Sequence, residues 1–451
     1  MKRNKILLNE NVQHVISDHI EIKVKVDFKN AAILYNTSHL FNLPRLSKLL
    51  LPINIRCFPI VCDRDFSELE LVPAVKMLSN NGLNVDSELV VFKAALTWLN
   101  QYEQRSKHAK RLLRHIRFSL LSAREIKHAV GKNLCNEVFH AVKEILSAKK
   151  KQSCLPKFKT LMRFCSDFDI VLCGGVYISS RVVTNEVCRY KLNEDDSFSA
   201  LPPMTISRES PKVVHLKDAI YVFGGSNSSE DNVQSVEKYS LITKSWEKIT
   251  EMYDDRDHYD VTAHMDSIYV IGSRRHRYHL SLNPKTRTWK VISATHELGL
   301  NKASAVFQGR VVVSGGFVVE NNVNETLRNV EEYDVINNAW SVTGRMIGAR
   351  EGHQMAAVRS KLFFIGGHEE TCEVYDSKSD KFTLVRLPEE FSDHFIYPTG
   401  VVSVGDTLVV FGDEQKEVLF FDAKQNEWSH EDLEIFKNLS GFGCTKVPRL
   451  L

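Results

Sequence analysis

The chain has 451 residues, of which 43% are hydrophobic and 25% are charged, and its formal net charge is +3. This composition is ordinary for a folded protein, and it excludes wholesale disorder and a nucleic-acid-binding surface spread over the whole chain. At about 100–200 residues per domain, the length predicts two or three domains or an array of repeats.

The first 27 residues show no targeting or membrane segment. Their apolar run, Ile6 to Leu8, is too short for the core of a signal peptide, and no stretch has the ~18 apolar residues of a membrane-spanning helix. The nine cysteines are odd in number, scattered, and never in a Cys-x-x-Cys pair, so they indicate reduced thiols and no zinc site. We therefore predict a cytoplasmic protein that has no membrane segment.

Residues 28–148 have the pattern of packed helices, because glycine is nearly absent and apolar residues recur every three and four positions. Ser87 is suited to cap a helix and Glu88 to its first turn. The same helix has an apolar stripe that we expect to be buried, formed by Val91, Ala95, Trp98 and Leu99.

The end of this region is basic, since residues 101–160 have 15 Lys or Arg against 4 Glu. A solvated helical face followed by a basic linker over residues 149–164 accounts for this charge. A surface that binds an acidic partner is the alternative.

From about residue 165 the chain repeats itself. A run of β-branched or aromatic residues ends in Gly-Gly, or a remnant of it, at a period of 43 to 51 residues, which is the period of a propeller blade. The first residues of the six glycine positions are Gly174, Gly224, Gly272, Gly315, Gly366 and Gly412. Paired glycine permits positive φ and close backbone approach where blades converge.

Five of the six runs are followed by an aromatic residue, and a second aromatic comes about seven positions later. Large aromatics at these positions are suited to fill the wedge between adjacent blades. The pairs are Tyr190 with Phe198, Tyr239 with Trp246, Tyr333 with Trp340, Tyr375 with Phe382 and Phe421 with Trp428, while Leu282 precedes Trp289. Six repeats predict a six-bladed β-propeller.

The units resemble kelch repeats, in which Gly-Gly is followed by Val-Glu-x-Tyr and then Trp, as in Val236 to Tyr239 and Val330 to Tyr333. Several repeats also have the family's Arg sixteen residues before the glycine pair. Arg208, Arg256 and Arg350 fit this position, whereas Gly299 and Ile396 depart from it. Because extra sequence, 441–447, follows the sixth repeat, we expect a C-terminal strand to close the ring as the innermost strand of blade one.

The helical region resembles the BACK domain of kelch-like proteins, with its Leu-Asn-Val at residues 83–85 and Ser87-Glu88, Val91-Phe92 and Trp98 after it. The resemblance implies an all-α BACK-like domain over 28–148 and an all-β six-bladed kelch propeller over 165–449. In that family a BTB domain comes first, and it supplies dimerisation and the dock for cullin-3. We expect no BTB domain here, and at most a helical remnant of one in residues 1–27, whether or not the chain is a truncated form of a longer protein.

No catalytic, cofactor or metal signature occurs, so we predict a protein that is not an enzyme and has no cofactor. The closest approach to a metal cluster, residues 274–279, has three arginines beside two histidines and is predicted to be a basic loop.

By the resemblance, the leading hypothesis is a substrate-recognition adaptor similar to those of cullin-3 ubiquitin ligases, and the alternative is a kelch scaffold that binds actin or another cytoskeletal partner. We expect cullin-3 to bind weakly or only through a partner that supplies a BTB domain, and we expect a monomer.

The predicted partner-binding residues resemble the family's contact positions and comprise Arg208, Arg256, His258, Arg350 and His353. Arginine in a solvent-filled ring mouth is suited to an acidic or phosphorylated peptide, because its fork pairs with carboxylates and phosphates. The alternative is structural: these arginines bind neighbouring carbonyl groups between blades.

Overall fold

A computed structural model describes most of the chain between Asn30 and Arg449. The ranges are 30–131, 135–151, 163, 165–192, 198–229, 232–254, 256–273, 276–297, 299–320, 323–367, 371–388, 397–412, 417–433 and 439–449. The predicted BTB remnant in 1–27 and most of the predicted linker lie outside these residues. Two compact units are present, one ending at Cys165 and the other spanning Ser166–Val447.

The first unit is all helical, as predicted. Its α-helices in the described residues are α1 Ala31–Leu40, α2 Pro44–Arg56, α3 Phe58–Arg64, α4 Leu71–Ser79, α5 Glu88–Gln101, α6 Ala109–Leu113, α7 Ala123–Val130 and α8 Asn136–Lys151. Within the described part of the chain, every helix is too short or too polar to cross a lipid bilayer.

Helix α5 has the predicted cap and the predicted buried stripe. The Ser87 side chain accepts a hydrogen bond from the Leu89 amide, and Trp98 is buried with its indole N–H donated to the Leu69 carbonyl at 2.8 Å. The predicted stripe is buried in full, at Val91, Ala95, Trp98 and Leu99.

Glu88 does more than begin this helix, because it is buried and its carboxylate receives two hydrogen bonds of 2.9 Å from the Arg163 guanidinium. Arg163 also donates to the carbonyls of Leu78, Asn80 and His115. A bidentate, fully hydrogen-bonded pair of this kind is the geometry in which a buried charge is tolerated. Arg163 therefore belongs to the core of the helical unit, although the sequence pattern placed it in a linker.

The second unit is built of six four-stranded antiparallel sheets, which confirms the six-bladed propeller. The strands of blades one to three are β1 Phe168–Cys173, β4 Val187–Tyr190, β5 Phe198–Leu201, β6 Lys212–Leu216, β7 Ala219–Phe223, β8 Ser235–Ser240, β9 Ser245–Glu251, β10 Asp260–His264, β11 Ser267–Ile271, β12 His279–Asn283 and β13 Thr288–Ile292.

The remaining blades follow the same plan. Their strands are β14 Ala303–Phe307, β15 Arg310–Ser314, β18 Asn329–Asp334, β19 Ala339–Arg345, β20 Gln354–Val358, β21 Lys361–Ile365, β22 Thr371–Asp376, β23 Lys381–Arg386, β24 Gly400–Val404, β25 Thr407–Phe411, β26 Glu417–Asp422, β27 Glu427–Asp432 and β29 Gly443–Pro448. Small additional sheets pair β2 Val176–Tyr177, β3 Val182–Val183 and β28 Leu439–Ser440, and β16 Phe317–Glu320 with β17 Val323–Thr326.

The ring closes through its C-terminal strand. β29 is the innermost strand of blade one and pairs with β1, which comes from the start of the propeller. Gly443 of β29 lies against Val213 of blade two, and the Cys444 sulfur lies against Gly400 of blade six. The closing strand therefore contacts both neighbouring blades and removes the open edge that a sheet array would otherwise expose.

The predicted aromatic pairs are cross-strand neighbours in the two outer strands of each blade. Tyr239 faces Trp246 and Tyr333 faces Trp340, with ring centroids 5.2 and 4.9 Å apart. The indole N–H of Trp340 donates to the Ser293 carbonyl of the preceding blade at 2.9 Å. These aromatics thus link adjacent blades, and Leu282 pairs with Trp289 in the same register in blade three.

The glycine pairs have the backbone role that the repeat pattern predicts. Gly224 and Gly225 have φ of +60° and +83°, and a Cβ on them would collide with the Tyr259 hydroxyl and the Glu209 carbonyl. Positive φ and close approach both require glycine at these positions.

Candidate functional site

One face of the propeller collects the connections that leave the second strand of each blade and those that enter the first. In an antiparallel sheet the end of the second strand and the start of the first strand lie at the same edge. We call this surface the mouth face. Two described bridges join the two kinds of connection, Glu209 with Ser226 and Leu300 with Phe317.

The three predicted arginines of this face are fully buried. Arg208 donates to the Gly224 carbonyl at 2.7 Å and Arg350 to the Gly366 carbonyl at 2.8 Å, and Arg256 makes the same bond to Gly272. The sixteen-residue step from each arginine to its glycine in the sequence therefore separates the donor and the acceptor of this hydrogen bond. The expectation that the arginines project into a solvent-filled mouth is wrong, and their contacts match the structural alternative.

Each buried arginine also has a carboxylate partner. Arg208 pairs with Glu237 at 3.0 Å and Arg350 with Glu373 at 3.1 Å, and both glutamates occupy the Glu of the Val-Glu-x-Tyr motif. Blade three has Leu280 at that position, and Arg256 pairs instead with Asp254 at 2.7 Å. An ion pair in which both partners are buried and hydrogen-bonded is a structural element, since its charges do not reach a partner protein.

Blade four replaces the arginine with a lysine that the sequence pattern did not identify. Gly299 stands at the arginine position, but the ammonium group of the buried Lys302 lies 3.9 Å from the motif carboxylate of Glu331. Burial lowers the pKa of Lys302, while the negative charges of Glu331 and Glu297 oppose that shift.

The motif glutamates also hold the backbone of the loop that enters each blade. Glu237 accepts a hydrogen bond from the Thr205 amide, and Glu331 accepts one from the His296 amide, both at 2.8 Å. Glu373 accepts one from the Ile347 amide at 2.7 Å. All three donors lie three residues before the arginine position, so the buried carboxylate fixes this point of the loop.

The side chains at that same repeat position are exposed. They are Thr205, Tyr253, His296 and Ile347, and Tyr253 and Ile347 are 57% and 50% exposed. The sequence analysis missed these residues. The signal that could have identified them is a large aromatic or aliphatic residue at a loop position that Thr occupies in blade two. The repeat scaffold therefore presents a variable side chain of each blade to solvent.

A second repeat position, two residues after the arginine, forms an inner ring. Five of its described members have left-handed backbone with φ between 51° and 63°, namely Ser210, His258, Asn301, Gly352 and Gly441, whereas Pro398 of blade six does not. The Asn301 amide donates to the His258 carbonyl at 3.3 Å, and the Gly352 amide donates to the Asn301 carbonyl at 3.0 Å. This hydrogen-bonded series is the rim of the mouth.

The two predicted histidines differ in environment. His258 is exposed on the rim, with Nδ1 2.9 Å from Asn301 Oδ1. His353 is buried, with Nε2 2.7 Å from Ser314 Oγ, and burial together with the charges of Arg350 and Lys302 lowers its pKa to about 3. Of the five predicted contact residues, only His258 reaches solvent.

The predicted basic loop is described in part. Arg274 and Arg275 lie outside the described residues, and His276 Nε2 is 3.7 Å from Asp254. In the part of the chain that the structure describes, no group of three or more His, Cys, Asp or Glu is arranged to hold a metal ion.

Blades two, four and five, each with a buried Arg or Lys beside the motif carboxylate and a glycine pair at the strand end, define a kelch-type β-propeller. A family model described as Attractin/LZTR1 beta-propeller matches residues 127–373, and one described as BACK, BTB And C-terminal Kelch, matches residues 32–131. The chain therefore belongs to the kelch-like β-propeller proteins that have a BACK domain.

Curated relatives are similar over most of this chain. Kelch-like protein 36 of Bos taurus is 22% identical over 83% of this chain and 65% of its own length. Kelch-like protein 36 of Rattus norvegicus is 24% identical over 80% and 61%. Kelch-like protein 26 of Danio rerio is 23% identical over 90% and 71%. The chain thus spans less than two thirds of the length of the first two.

Proposed function

We propose that this protein binds another protein through the mouth face of its propeller and works without catalysis. The observation that carries the proposal is the repeat position of Tyr253, His296 and Ile347, where a buried carboxylate or ion pair fixes the loop and the side chain is left in solvent. Rigid loops with exposed aromatic and aliphatic side chains are typical of protein-binding surfaces.

Among the five residues that the sequence singled out, we propose His258 as a direct contact. Arg208, Arg256, Arg350 and His353 act in this proposal by holding the loops in place, since each is buried. In this proposal the partner therefore contacts the exposed side chains of these loops.

We further propose that the chain is a cytoplasmic substrate-recognition adaptor similar to those of cullin-3 ubiquitin ligases. The supports are the BACK match, the kelch-like relatives and the pattern of scattered, reduced cysteines. In this proposal cullin-3 binds weakly or through a partner that has a BTB domain. The second candidate is a kelch scaffold that binds actin or another cytoskeletal protein, which needs only the propeller.

Affinity purification of the tagged full chain, followed by mass spectrometry, separates the two candidates. Cullin-3 peptides together with proteins that accumulate when the proteasome is inhibited support the adaptor, and actin-associated peptides without cullin-3 support the scaffold.

A variant with Tyr253→Ala and Ile347→Ala tests the mouth face in the same experiment. Its matched control is Val291→Ala with Leu384→Ala, which removes apolar side chains of similar exposure, 45% and 50%, from outer strands. We expect the first variant to lose the propeller partners and the control to keep them. Equal recovery with both variants contradicts a binding site on the mouth face.

A further inference from the structure

The connections of the mouth face differ in charge from the turns of the opposite face. Among the described side chains, these connections have seven Asp or Glu and seven Lys or Arg. The described turns at the opposite face have four acidic and eight basic residues, so the charge is asymmetric. A concentration of one sign of charge attracts partners of the other sign.

The charge that a partner meets at the mouth face is more acidic than these numbers, because four of the seven described cations are internal. Arg208, Arg256, Lys302 and Arg350 are buried and paired with carboxylates of the chain. Three of their four carboxylate partners, Glu237, Glu331 and Glu373, lie on strands rather than in the connections. The other described cations of these connections, Arg181, Arg277 and Arg328, are exposed, and the described carboxylates outnumber them.

Three carboxylates occupy one repeat position beside the rim of the mouth. Glu209, Asp257 and Glu351 each follow the buried arginine of blades two, three and five, and each is half-buried. The backbone at this position is held in place, since the Glu209 amide donates to the Ser226 carbonyl at 2.8 Å. The propeller symmetry thus distributes three carboxylates around the mouth.

Exposed apolar and aromatic side chains lie on the same entering loops. Tyr253 and Tyr397 are 57% and 53% exposed, and Ile347 is 50% exposed. A tyrosine ring beside carboxylates is suited to Lys or Arg, because the apolar stem packs on the ring and the cationic head reaches the ring face or the carboxylate.

We propose that the mouth face binds an extended basic segment of a partner protein, in which Lys or Arg side chains alternate with apolar ones. This inference rests on the proposed function and specifies the partner. It replaces the expectation of an acidic or phosphorylated peptide, because the arginines on which that expectation depended are buried and an anionic peptide would meet Glu209, Asp257 and Glu351.

The test is a selection of random dodecapeptides, displayed on phage, on the purified full chain. Enriched peptides are then synthesised and their affinities measured by fluorescence anisotropy at low and high salt. We expect enriched peptides to have net positive charge and apolar residues, and to bind more weakly at high salt because exposed charge pairs are screened.

The variant is Glu209→Gln with Asp257→Asn and Glu351→Gln, which removes charge at nearly constant shape. We expect it to bind the enriched peptides about tenfold more weakly, the combined effect of several partly exposed charge pairs. The matched control, Glu103→Gln with Glu144→Gln and Glu427→Gln, removes three exposed carboxylates elsewhere and should bind as the native chain does. If the melting temperature of the triple variant is lower than that of the native chain, the test uses Glu351→Gln alone together with the salt dependence of peptide binding to the native chain.

Two results would overturn the inference and are distinguishable from each other. Peptides that lose affinity with Tyr253→Ala and Ile347→Ala, yet are acidic or uncharged, leave the mouth face as the binding site and refute the basic partner. Failure to enrich peptides, or peptides indifferent to every mouth variant, refutes the basic partner and the proposed function together.

Discussion

Arg350 shows what a buried kelch arginine does at the scale of one residue. Its guanidinium donates to Glu373, to the carbonyls of Gly366 and Thr371, and to the Thr371 hydroxyl. Removing it leaves the Glu373 carboxylate buried without a cation and takes one hydrogen bond from each of the two carbonyls. The cost of an uncompensated buried charge is about 3–5 kcal/mol.

We therefore predict that Arg350→Ala strongly destabilises the propeller, and that Arg350→Lys destabilises it as well, because an ammonium group cannot reproduce the planar fork of donors. Urea unfolding measures both. The control is Arg328→Ala, which removes an exposed arginine of the same face. Arg350→Ala with an unfolding midpoint equal to that of the control would show that the ion pair is dispensable.

Two buried histidines make stability depend on pH. Burial, with smaller effects of nearby cations, lowers the pKa of His279 and of His353 to about 3. The backbone amides of Gly272 and Thr295 both point at the ring nitrogens of His279, which further disfavours a second proton there. In the unfolded chain each histidine returns to about 6.5.

Because the unfolded chain binds more protons between these values, we predict that stability decreases as the pH falls below about 6.5. For each histidine, the free energy of unfolding is expected to fall by about 1.4 kcal/mol per pH unit below that pH. Above that pH this loss of stability disappears. Unfolding midpoints at pH 7 and pH 5 measure it for the native chain and for His353→Gln. An unchanged difference between the two pH values in His353→Gln would mean that His353 does not titrate with unfolding.

At the scale of the element, the outer strand of a blade depends on its aromatic residue. Trp340 is 7% exposed and packs with Tyr269 and Val311 of neighbouring strands, so it joins blades three and four. Trp246 has the equivalent position and donates to the Pro202 carbonyl at 2.7 Å, but it is half-buried.

We predict that Trp340→Ala costs about 3–5 kcal/mol, against a total stability of only ~5–15 kcal/mol, and that Trp246→Ala costs less because less of its ring is buried. Thermal melts of the two variants test which substitution destabilises the propeller more. A shift of under a few degrees for both, or a larger shift for Trp246→Ala, would contradict the packing between blades.

At the scale of the whole molecule, the propeller is stable as a closed ring. β29 supplies the innermost strand of blade one and contacts blades two and six, so its loss would open the ring and expose the edge of β1. An exposed hydrophobic edge strand is prone to pair with other chains.

We predict that deleting residues 438–451 makes the propeller protease-sensitive or insoluble, rather than trimming a tail. Limited proteolysis compares the truncated and full chains, and a control that replaces only Leu450 and Leu451 by Ser keeps β29 intact. A truncated chain as resistant as the full one would show that closure is made elsewhere.

The sequence alone determined the architecture, because the constraints of a blade lie within one repeat. Gly224 and Gly225 mark a strand end that only glycine can adopt, and Tyr239 with Trp246 marks two paired strands at a constant separation. Six such units in phase predicted the number of blades, and the sequence after the sixth predicted the closing strand. The helical unit was equally readable from its apolar period and from the cap at Ser87.

Only the tertiary structure decided which side chains face solvent. Arg350 and Glu373 are 23 residues apart and Arg163 and Glu88 are 75 apart, so a repeat pattern shows that a charge is present but not whether a buried partner meets it. In blade four Lys302 takes the place of the missing arginine from a different position in the repeat, and in blade three Asp254 takes the place of the missing motif glutamate. The repeat pattern shows neither substitution. Burial is a property of packed neighbours, and it assigns the arginines to the scaffold, which is why we propose Tyr253, Ile347 and the carboxylates beside the rim as the partner surface.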